Sequence, residues 1–140
     1  MIPLPCRNEK LKGLNMNRQE ILARLSAFPY DRNEYWLVTG AAMVVYGVRE
    51  QAADIDLGCS TEMADLLEAD GCPYQRTPDG KRWFRFSDSI EIFESWVKDS
   101  VQVIDGFQAV SLKGLMEMKR ELGREKDLKD IDLIESFMRR

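Results

Sequence analysis

Two carboxylates stand one residue apart in a segment that is otherwise typical of a buried strand. Asp54 and Asp56 lie in the stretch ADIDLGCS, and the residue between them, Ile55, is apolar, as is Leu57. Side chains two residues apart on a strand point to the same face, which places these carboxylates side by side, about 6–7 Å apart at Cα. Like charges this close repel unless a cation lies between them. One interpretation is therefore Mg²⁺ held by carboxylates and substrate phosphates; the alternative is a strand edge with its charges facing solvent.

A glycine upstream adds a possible phosphate site. Gly40 follows a predicted strand over 35–38 and precedes a short predicted helix over 41–46. Because glycine has no side chain, a phosphate can approach the backbone N–H groups at such a helix start, near Gly40 and Ala41.

A third acid is a candidate member of the same site. Glu91 stands between two isoleucines in a later predicted strand, and an acid between apolar neighbours suggests the edge of a site. Glu94 and Asp88 are competing candidates. A half-exposed strand without function is the other interpretation of the same pattern.

The composition limits the chemistry that these residues can take part in. The chain has 140 residues, 31% of them charged and 44% hydrophobic, with a net charge of −4 and no histidine. Without histidine there is no Ser-His-Asp or Cys-His triad and no histidine metal site, so oxygen ligands and Mg²⁺ or Mn²⁺ are favoured over Zn²⁺. The acidic balance also lacks the broad basic surface of a nonspecific nucleic-acid binder.

Cysteine usage and hydropathy predict a cytoplasmic protein. The three cysteines, Cys6, Cys59 and Cys72, are odd in number and match no zinc spacing, which favours reduced thiols. Residues 1–14 lack the apolar stretch of a signal peptide. The longest apolar region, 37–48, is too short to span a bilayer, so no membrane partner is expected.

Periodicity and capping signals predict one α/β (α+β) domain over 1–140, with an irregular lead over 1–14. Asn17 and Glu20 have capping-box spacing, and Ser60 and Ser111 can each cap a helix. Gly123 interrupts the last helical region, which predicts a C-terminal helix pair over 111–140. The predicted elements, in order, are a helix from 17 to 28, a strand over 35–38, a helix over 41–46, a strand over 54–59, a helix to 69, a hairpin turning at 87–89, one or two strands over 101–110, and the helix pair.

The stretch TGAAMVVYGVREQAADIDL, residues 39–57, resembles the signature of the nucleotidyltransferase superfamily with the DNA polymerase β-like fold. More narrowly, it resembles that of small bacterial nucleotidyltransferase-like proteins related to the AbiEii toxins and to aminoglycoside and lincosamide nucleotidyltransferases. The family pattern is a glycine doublet, a short apolar helix ending in glycine, a basic connector, a strand with two acids flanking an apolar residue, and a third acid on a later strand. The matching residues are Gly40, Gly47, Arg49, Asp54, Asp56 and, for the third acid, Glu91.

The stretch LMEMKRELGREKDLKDIDLI, residues 115–134, resembles the terminal helix pair of the same proteins. The resemblance is close over 36–60, good over 111–135 and loose between them. The residues that correspond to the family's lysine, its G-R-x-K-D run and its second acid are Lys119, Gly123, Arg124, Lys126, Asp127 and Asp130.

The resemblance implies a mixed sheet flanked by helices and a metal-dependent transfer of NMP from an NTP to an acceptor. The acceptor can be a small molecule, RNA or protein, and nucleic acid is expected in that role only. Asp54, Asp56 and Glu91 would bind Mg²⁺ or Mn²⁺ and catalyse, with Glu91 completing a second metal position or acting as base. The implied nucleotide-binding residues are Thr39, Gly40, Ala41, Arg49, Lys119 and Arg124; the alternative for the last two is an ordinary solvated helix face.

Departures from the family pattern support an alternative function. Thr39 replaces the first glycine of the doublet, no serine follows Gly40, Ala52 stands where threonine is common, and Glu91 stands where aspartate is usual. The alternative is a catalytically silent nucleotide-binding domain, or a toxin–antitoxin domain whose partner is an antitoxin or regulator protein.

Overall fold

The computed structural model describes residues 15–140, so the predicted irregular lead and Cys6 lie outside the described residues. Helix α1, Arg18–Ser26, has Asn17 as its N-cap residue as predicted, and it ends two residues before the predicted end at 28. The Asn17 side chain accepts a hydrogen bond from the backbone N–H of Glu20 at 2.9 Å, and the Glu20 carboxylate accepts one from the backbone N–H of Asn17 at 2.9 Å. This reciprocal pair is the predicted capping box.

Seven strands and four more helices follow α1, together with a short 3₁₀ turn over Arg32–Glu34. The predicted hairpin and the two strands within 101–110 are present, whereas the short β3 was not predicted. The bounds are β1 Tyr35–Val38, α2 Thr39–Tyr46, β2 Ile55–Cys59, α3 Thr61–Ala69, β3 Tyr74–Arg76, β4 Arg82–Arg85, β5 Ile90–Glu94, β6 Val101–Ile104, β7 Phe107–Val110, α4 Leu112–Leu122 and α5 Glu125–Met138.

All seven strands form one mixed sheet in the order β3-β4-β5-β2-β1-β7-β6. Strand β2 pairs parallel with β5 and antiparallel with β1, and β1 pairs parallel with β7. The outer pairs, β3 with β4, β4 with β5 and β6 with β7, are antiparallel. This mixed sheet with helices confirms the predicted α/β (α+β) class.

The central strands divide their side chains between a buried apolar face and a face that carries polar groups. Ile55 and Leu57 of β2 and Ile90 and Ile92 of β5 are buried in the core, together with residues of all five helices. Between them on the same strands, the acidic residues are only partly buried. The strand period of two thus explains why acids and isoleucines alternate in these segments.

The C-terminal helices form the predicted pair. The Ser111 hydroxyl accepts a hydrogen bond from the backbone N–H of Gly114 at 3.0 Å and so caps α4. Gly123, with φ of +64°, ends α4 in the left-handed conformation that glycine adopts without strain. Helix α5 then packs against α4. Among residues 15–140, the helices are all too short or too polar to cross a membrane.

Candidate functional site

The polar face of the sheet carries a row of side chains across three neighbouring strands. Asp56 of β2 lies beside Glu91 of β5 in the parallel register, and Glu91 lies opposite Arg85 of β4. Neighbouring strands are about 4.8 Å apart, so the two carboxylates come close although 34 residues separate them in the chain. Val38 of β1 continues the row on the other side of Asp56.

A cleft with a volume of about 460 Å³ lies between this row and the C-terminal helix pair. It brings together all three predicted acids and most of the predicted nucleotide-binding residues. Ala41, by contrast, is fully buried in the core. The residues that line the cleft are Thr39, Gly40, Arg49, Ala52, Ala53, Asp54, Asp56, Glu91, Phe93, Trp96, Lys119, Leu122, Arg124, Lys126 and Asp130.

Thr39 orients one of the two aspartates. Its hydroxyl donates a hydrogen bond to Oδ2 of Asp56 at 2.8 Å. Its φ of +56° lies in the left-handed region, which costs energy for a threonine and none for glycine. This backbone geometry gives a physical reason for a glycine at this place in the pattern that the chain resembles, and the hydroxyl contact is what the threonine adds.

The space beside Gly40 is occupied by a guanidinium group. A Cβ atom at Gly40 would lie 3.1 Å from Nη1 of Arg49, so the missing side chain lets Arg49 approach the start of α2. The same Nη1 lies 3.8 Å from Oδ2 of Asp130 on α5. Arg49 therefore links the connector after α2 to the helix pair, and it places a positive charge where the sequence predicts a phosphate.

Glu91 has protein partners of its own. Its Oε2 forms an ion pair with Nη2 of Arg85 at 2.9 Å, and its Oε1 accepts a hydrogen bond from Nε1 of Trp83 at 3.2 Å. Within residues 15–140, Nε and Nη1 of Arg85 are buried without a hydrogen-bond partner. The Arg85 guanidinium therefore contacts Glu91 through its Nη2 atom.

The two competing candidates for the third acid lie elsewhere. Glu94 is buried and accepts hydrogen bonds from the Arg82 side chain at 2.8 and 3.0 Å. These bonds hold the pKa of Glu94 at about 2. Asp88 is exposed at the turn between β4 and β5. Of the three candidates, Glu91 is therefore the acid that lies beside Asp56.

The cleft offers hard oxygen donors but no ready-made metal cage. No cluster of three or more His, Cys, Asp or Glu side chains in the described part of the chain is arranged to hold a metal ion. Asp54 and Asp56 both line the cleft. Mg²⁺ is commonly bound by one or two carboxylates together with substrate phosphates. This donor pair fits that mode of binding, and the Glu91–Arg85 ion pair sets Glu91 apart from it.

Lys119 is at the centre of a buried charge network in the helix pair. It is 4% exposed, and its Nζ lies 2.8 Å from Oδ2 of Asp130 and 3.4 Å from Oδ1 of Asp127. Asp127 also accepts hydrogen bonds from Nε and the backbone N–H of Arg124 at 2.6 and 3.1 Å. The interpretation of Lys119 as part of a solvated helix face was wrong, because α4 and α5 bury it between them.

This network shifts the pKa values of Asp127 and Arg124. Burial alone raises the pKa of Asp127, but the hydrogen bonds from Arg124 and the charges of Lys119 and Arg124 outweigh it, and the net pKa lies below its usual range. The hydrogen bond to Asp127 raises the pKa of Arg124, and the Asp56 charge contributes to the same shift. Arg124 is therefore a permanent cation within electrostatic reach of Asp56.

Two aromatic side chains, Phe93 and Trp96, also line the cleft. Trp83 and Phe93 stack with their ring centres 6.0 Å apart, and Trp96 meets Phe93 edge-on at 5.1 Å. Gly58 leaves room beside these rings for the indole of Trp36, since a Cβ at position 58 would lie 2.1 Å from Nε1 of Trp36. That nitrogen donates a hydrogen bond of 2.7 Å to the backbone carbonyl of Trp96 and so holds it in place.

Comparison with known proteins adds no relative from which a role could be transferred. No family model matches the chain, and no curated protein or solved structure matches it either. The functional interpretation therefore depends on the geometry of the cleft and on the sequence patterns over 39–57 and 115–134.

Proposed function

We propose that the cleft binds an NTP with Mg²⁺ or Mn²⁺ and that the protein transfers NMP from the NTP to an acceptor hydroxyl. The observation that supports this most strongly is the placement of opposite charges on the two sides of one cleft. Asp54, Asp56 and Glu91 lie on the sheet side, whereas on the helix-pair side the cations Lys119, Arg124 and Lys126 outnumber the one acid, Asp130, that also lines the cleft. The sequence resemblance implies the same reaction.

The charged residues have separate roles in this proposal. Asp54 and Asp56 hold the divalent cation, which when bound offsets triphosphate charge and favours the leaving pyrophosphate. Arg49 and Arg124 contact the phosphates, because both are cleft-lining cations with planar, multiply donating head groups. Lys119 is nearly buried and held by two aspartates, so it adds positive charge within the cleft wall and fixes the helix pair.

Glu91 is the proposed proton acceptor. The acceptor hydroxyl forms a bond to the α-phosphorus, the bond from that phosphorus to the bridging oxygen breaks, and pyrophosphate leaves. The hydroxyl proton passes to the Glu91 carboxylate. Arg85 and Trp83, which contact the two oxygens of Glu91, hold the carboxylate in a defined orientation beside Asp56.

Incubation with α-labelled NTPs, Mg²⁺ and a cell extract tests the reaction. We expect label on an acceptor with the parent protein and none with Asp54→Asn. The matched control is Asp88→Asn, which removes an exposed acid outside the cleft and should leave transfer intact. If none of the four nucleotides gives a labelled product, or if Asp54→Asn labels as well as the parent, the proposed reaction is wrong.

A catalytically silent domain is the second candidate, and one observation favours it. The Glu91 carboxylate is already engaged by Arg85 and Trp83. A site of this kind would bind Mg²⁺–NTP without turnover and act through an antitoxin or regulator protein. Calorimetry combined with the labelling assay separates the two: saturable nucleotide binding with no product supports the silent domain, and turnover excludes it.

We place the protein in the cytoplasm, where NTP and Mg²⁺ are supplied. Cys59 and Cys72 are free thiols in the described part of the chain, as expected in a reducing compartment. Burial raises the pKa of Cys59 to about 12, so this thiol is an unreactive core residue.

A further inference from the structure

A second cavity adjoins the cleft and has its own chemistry. Its volume is about 330 Å³, and it shares Phe93, Trp96 and Leu122 with the cleft as a common wall. Small-molecule sites have volumes of about 300–1,000 Å³ and are lined mainly by apolar and aromatic groups with a few polar ones. The remaining residues around the second cavity are Thr77, Asp79, Lys81, Arg82, Glu94, Ser95 and Glu121.

The shared wall is well packed, and its two rings, Phe93 and Trp96, are inclined at 64° to each other. Phe93 is packed between Trp83, which stacks on it, and Trp96, which meets it edge-on. The backbone of Trp96 is fixed by the Trp36 indole. A planar ligand can therefore lie against one of these rings and meet the other at its edge without ordering mobile side chains.

The second cavity lies in a negative field. Arg82 is surrounded by three carboxylates, with distances of 2.9 Å to Asp65, 2.9 Å to Glu68 and 2.8 Å to Glu94. Lys81 and Asp79, which also line the cavity, offset each other. One guanidinium cannot balance three carboxylates, so an excess of negative charge remains behind the cavity. Glu121 adds a carboxylate at the rim, where Lys98 pairs with it at 2.7 Å. A cation is favoured here both by this field and by the aromatic faces.

The position of the shared wall connects the second cavity to the proposed base. Phe93 and Glu91 are two residues apart on β5, so their side chains point to the same face, about 6–7 Å apart at Cα. A ligand that contacts the Phe93 ring thus needs only the length of one aromatic ring and its substituent to reach the Glu91 carboxylate. The two cavities are placed like a donor site, which Glu91 lines, and an acceptor site that meets it at Phe93, Trp96 and Leu122.

We propose that the second cavity binds the acceptor, a small aromatic molecule that carries an amine cation and a hydroxyl group. The ring lies on Phe93 and Trp96, the cation faces the acidic side around Arg82, and the hydroxyl is directed to Glu91. The acceptor role rests on the proposed nucleotidyl transfer, whereas binding to the second cavity can be measured without it.

Three probes with the same ring and hydroxyl but different charge test the site: tyramine, tyrosol and 4-hydroxyphenylacetate. We expect tyramine to bind about tenfold more tightly than 4-hydroxyphenylacetate, with tyrosol between them, as measured by ligand-observed NMR titration. Equal binding of all three probes, tightest binding of the anion, or no binding of any of them overturns the proposal.

Variants at the rim locate the binding. Glu121 lines only the second of the two cavities, so Glu121→Trp should fill it and weaken tyramine about tenfold. Glu121→Gln should weaken tyramine about threefold and leave tyrosol unchanged, because it removes charge and little volume. The matched control, Asp132→Trp, is at an exposed position on α5 and should change neither. Unchanged tyramine binding by Glu121→Trp would place the probe elsewhere and overturn the assignment.

A parallel titration with Mg²⁺–ATP separates this inference from the proposed function. Nucleotide binding without tyramine binding refutes the second cavity as an acceptor site and leaves the nucleotide site standing. Tyramine binding that is sensitive to Glu121→Trp, without any nucleotide binding, supports the ligand site and refutes the transfer reaction.

Discussion

Replacing Lys119 with methionine should destabilise the protein strongly. Lys119 is 4% exposed, and its ammonium group is the shared partner of Asp127, which is fully buried, and Asp130, which is 9% exposed. Removing one partner of a buried ion pair costs about 3–5 kcal/mol, because a charge is left buried without compensation. Arg124 still binds Asp127 in the variant, and Arg49 lies 3.8 Å from Asp130. We therefore expect about 3 kcal/mol, the lower end of that range.

Urea unfolding at pH 7 measures this loss, with Lys126→Met as the matched control. Lys126 also lines the cleft but is exposed, so its replacement should change the free energy of unfolding by no more than about 0.5 kcal/mol. A loss below about 1 kcal/mol for Lys119→Met would refute the buried network.

The same loss should depend on pH, in a direction fixed by Asp127. The pKa of Asp127 is lowered in the folded protein, so its contribution to stability is present above its unfolded pKa of about 3.9 and is lost as the pH falls through its folded pKa. The difference between the parent and Lys119→Met should therefore shrink below about pH 4. A difference that stays constant down to pH 3 would contradict this explanation.

Two further variants test the packing around the second cavity. Arg82 lowers the pKa of Glu94 to about 2 from an ordinary value of 4.5, which corresponds to roughly 3 kcal/mol of stability that is present above pH 4.5 and lost as the pH falls to 2. Glu94→Gln should lose this stability at pH 7, and its free energy of unfolding should depend less on pH in the acid range. An unchanged pH dependence in that range would contradict the explanation. Gly58→Ala would place Cβ 2.1 Å from Nε1 of Trp36 and 2.5 Å from the carbonyl of Trp96. It should cost about 2–4 kcal/mol through overpacking and a broken hydrogen bond, and a melting temperature equal to the parent's would show that the indole can move aside.

The elements that were predicted correctly are those whose ends are set by local signals. Asn17 with Glu20, Ser60 and Ser111 each satisfy backbone N–H groups within three residues, so the sequence alone locates these helix starts. The helix break at Gly123 is equally local. The short β3 was missed because its three residues are stabilised by pairing with β4 rather than by a pattern of their own.

The candidate site was predictable in part for the same reason. Side chains alternate between the two faces of a strand, so the sequence alone places Asp56 of β2 on the face away from Ile55. The partners of Glu91 and the burial of Lys119 do not, because each depends on which strands or helices become neighbours. The one signal for the network was the spacing of Asp127 and Asp130, three residues apart, which places them on one face of a helix.

Mg²⁺-dependent binding of a nonhydrolysable NTP is the measurement that tests the central proposal most directly. Thermal melts of the parent and Asp56→Asn, each with and without Mg²⁺ and nucleotide, are sufficient. Without ligand, Asp56→Asn should melt within a few degrees of the parent, because the asparagine oxygen can still accept the hydrogen bond from Thr39. With Mg²⁺ and nucleotide at about 100 times Kd, the parent should gain about 2.7 kcal/mol and Asp56→Asn should gain little or nothing. A melting temperature of Asp56→Asn that is lower throughout, with the ligand-induced gain intact, would contradict the proposed metal–nucleotide site.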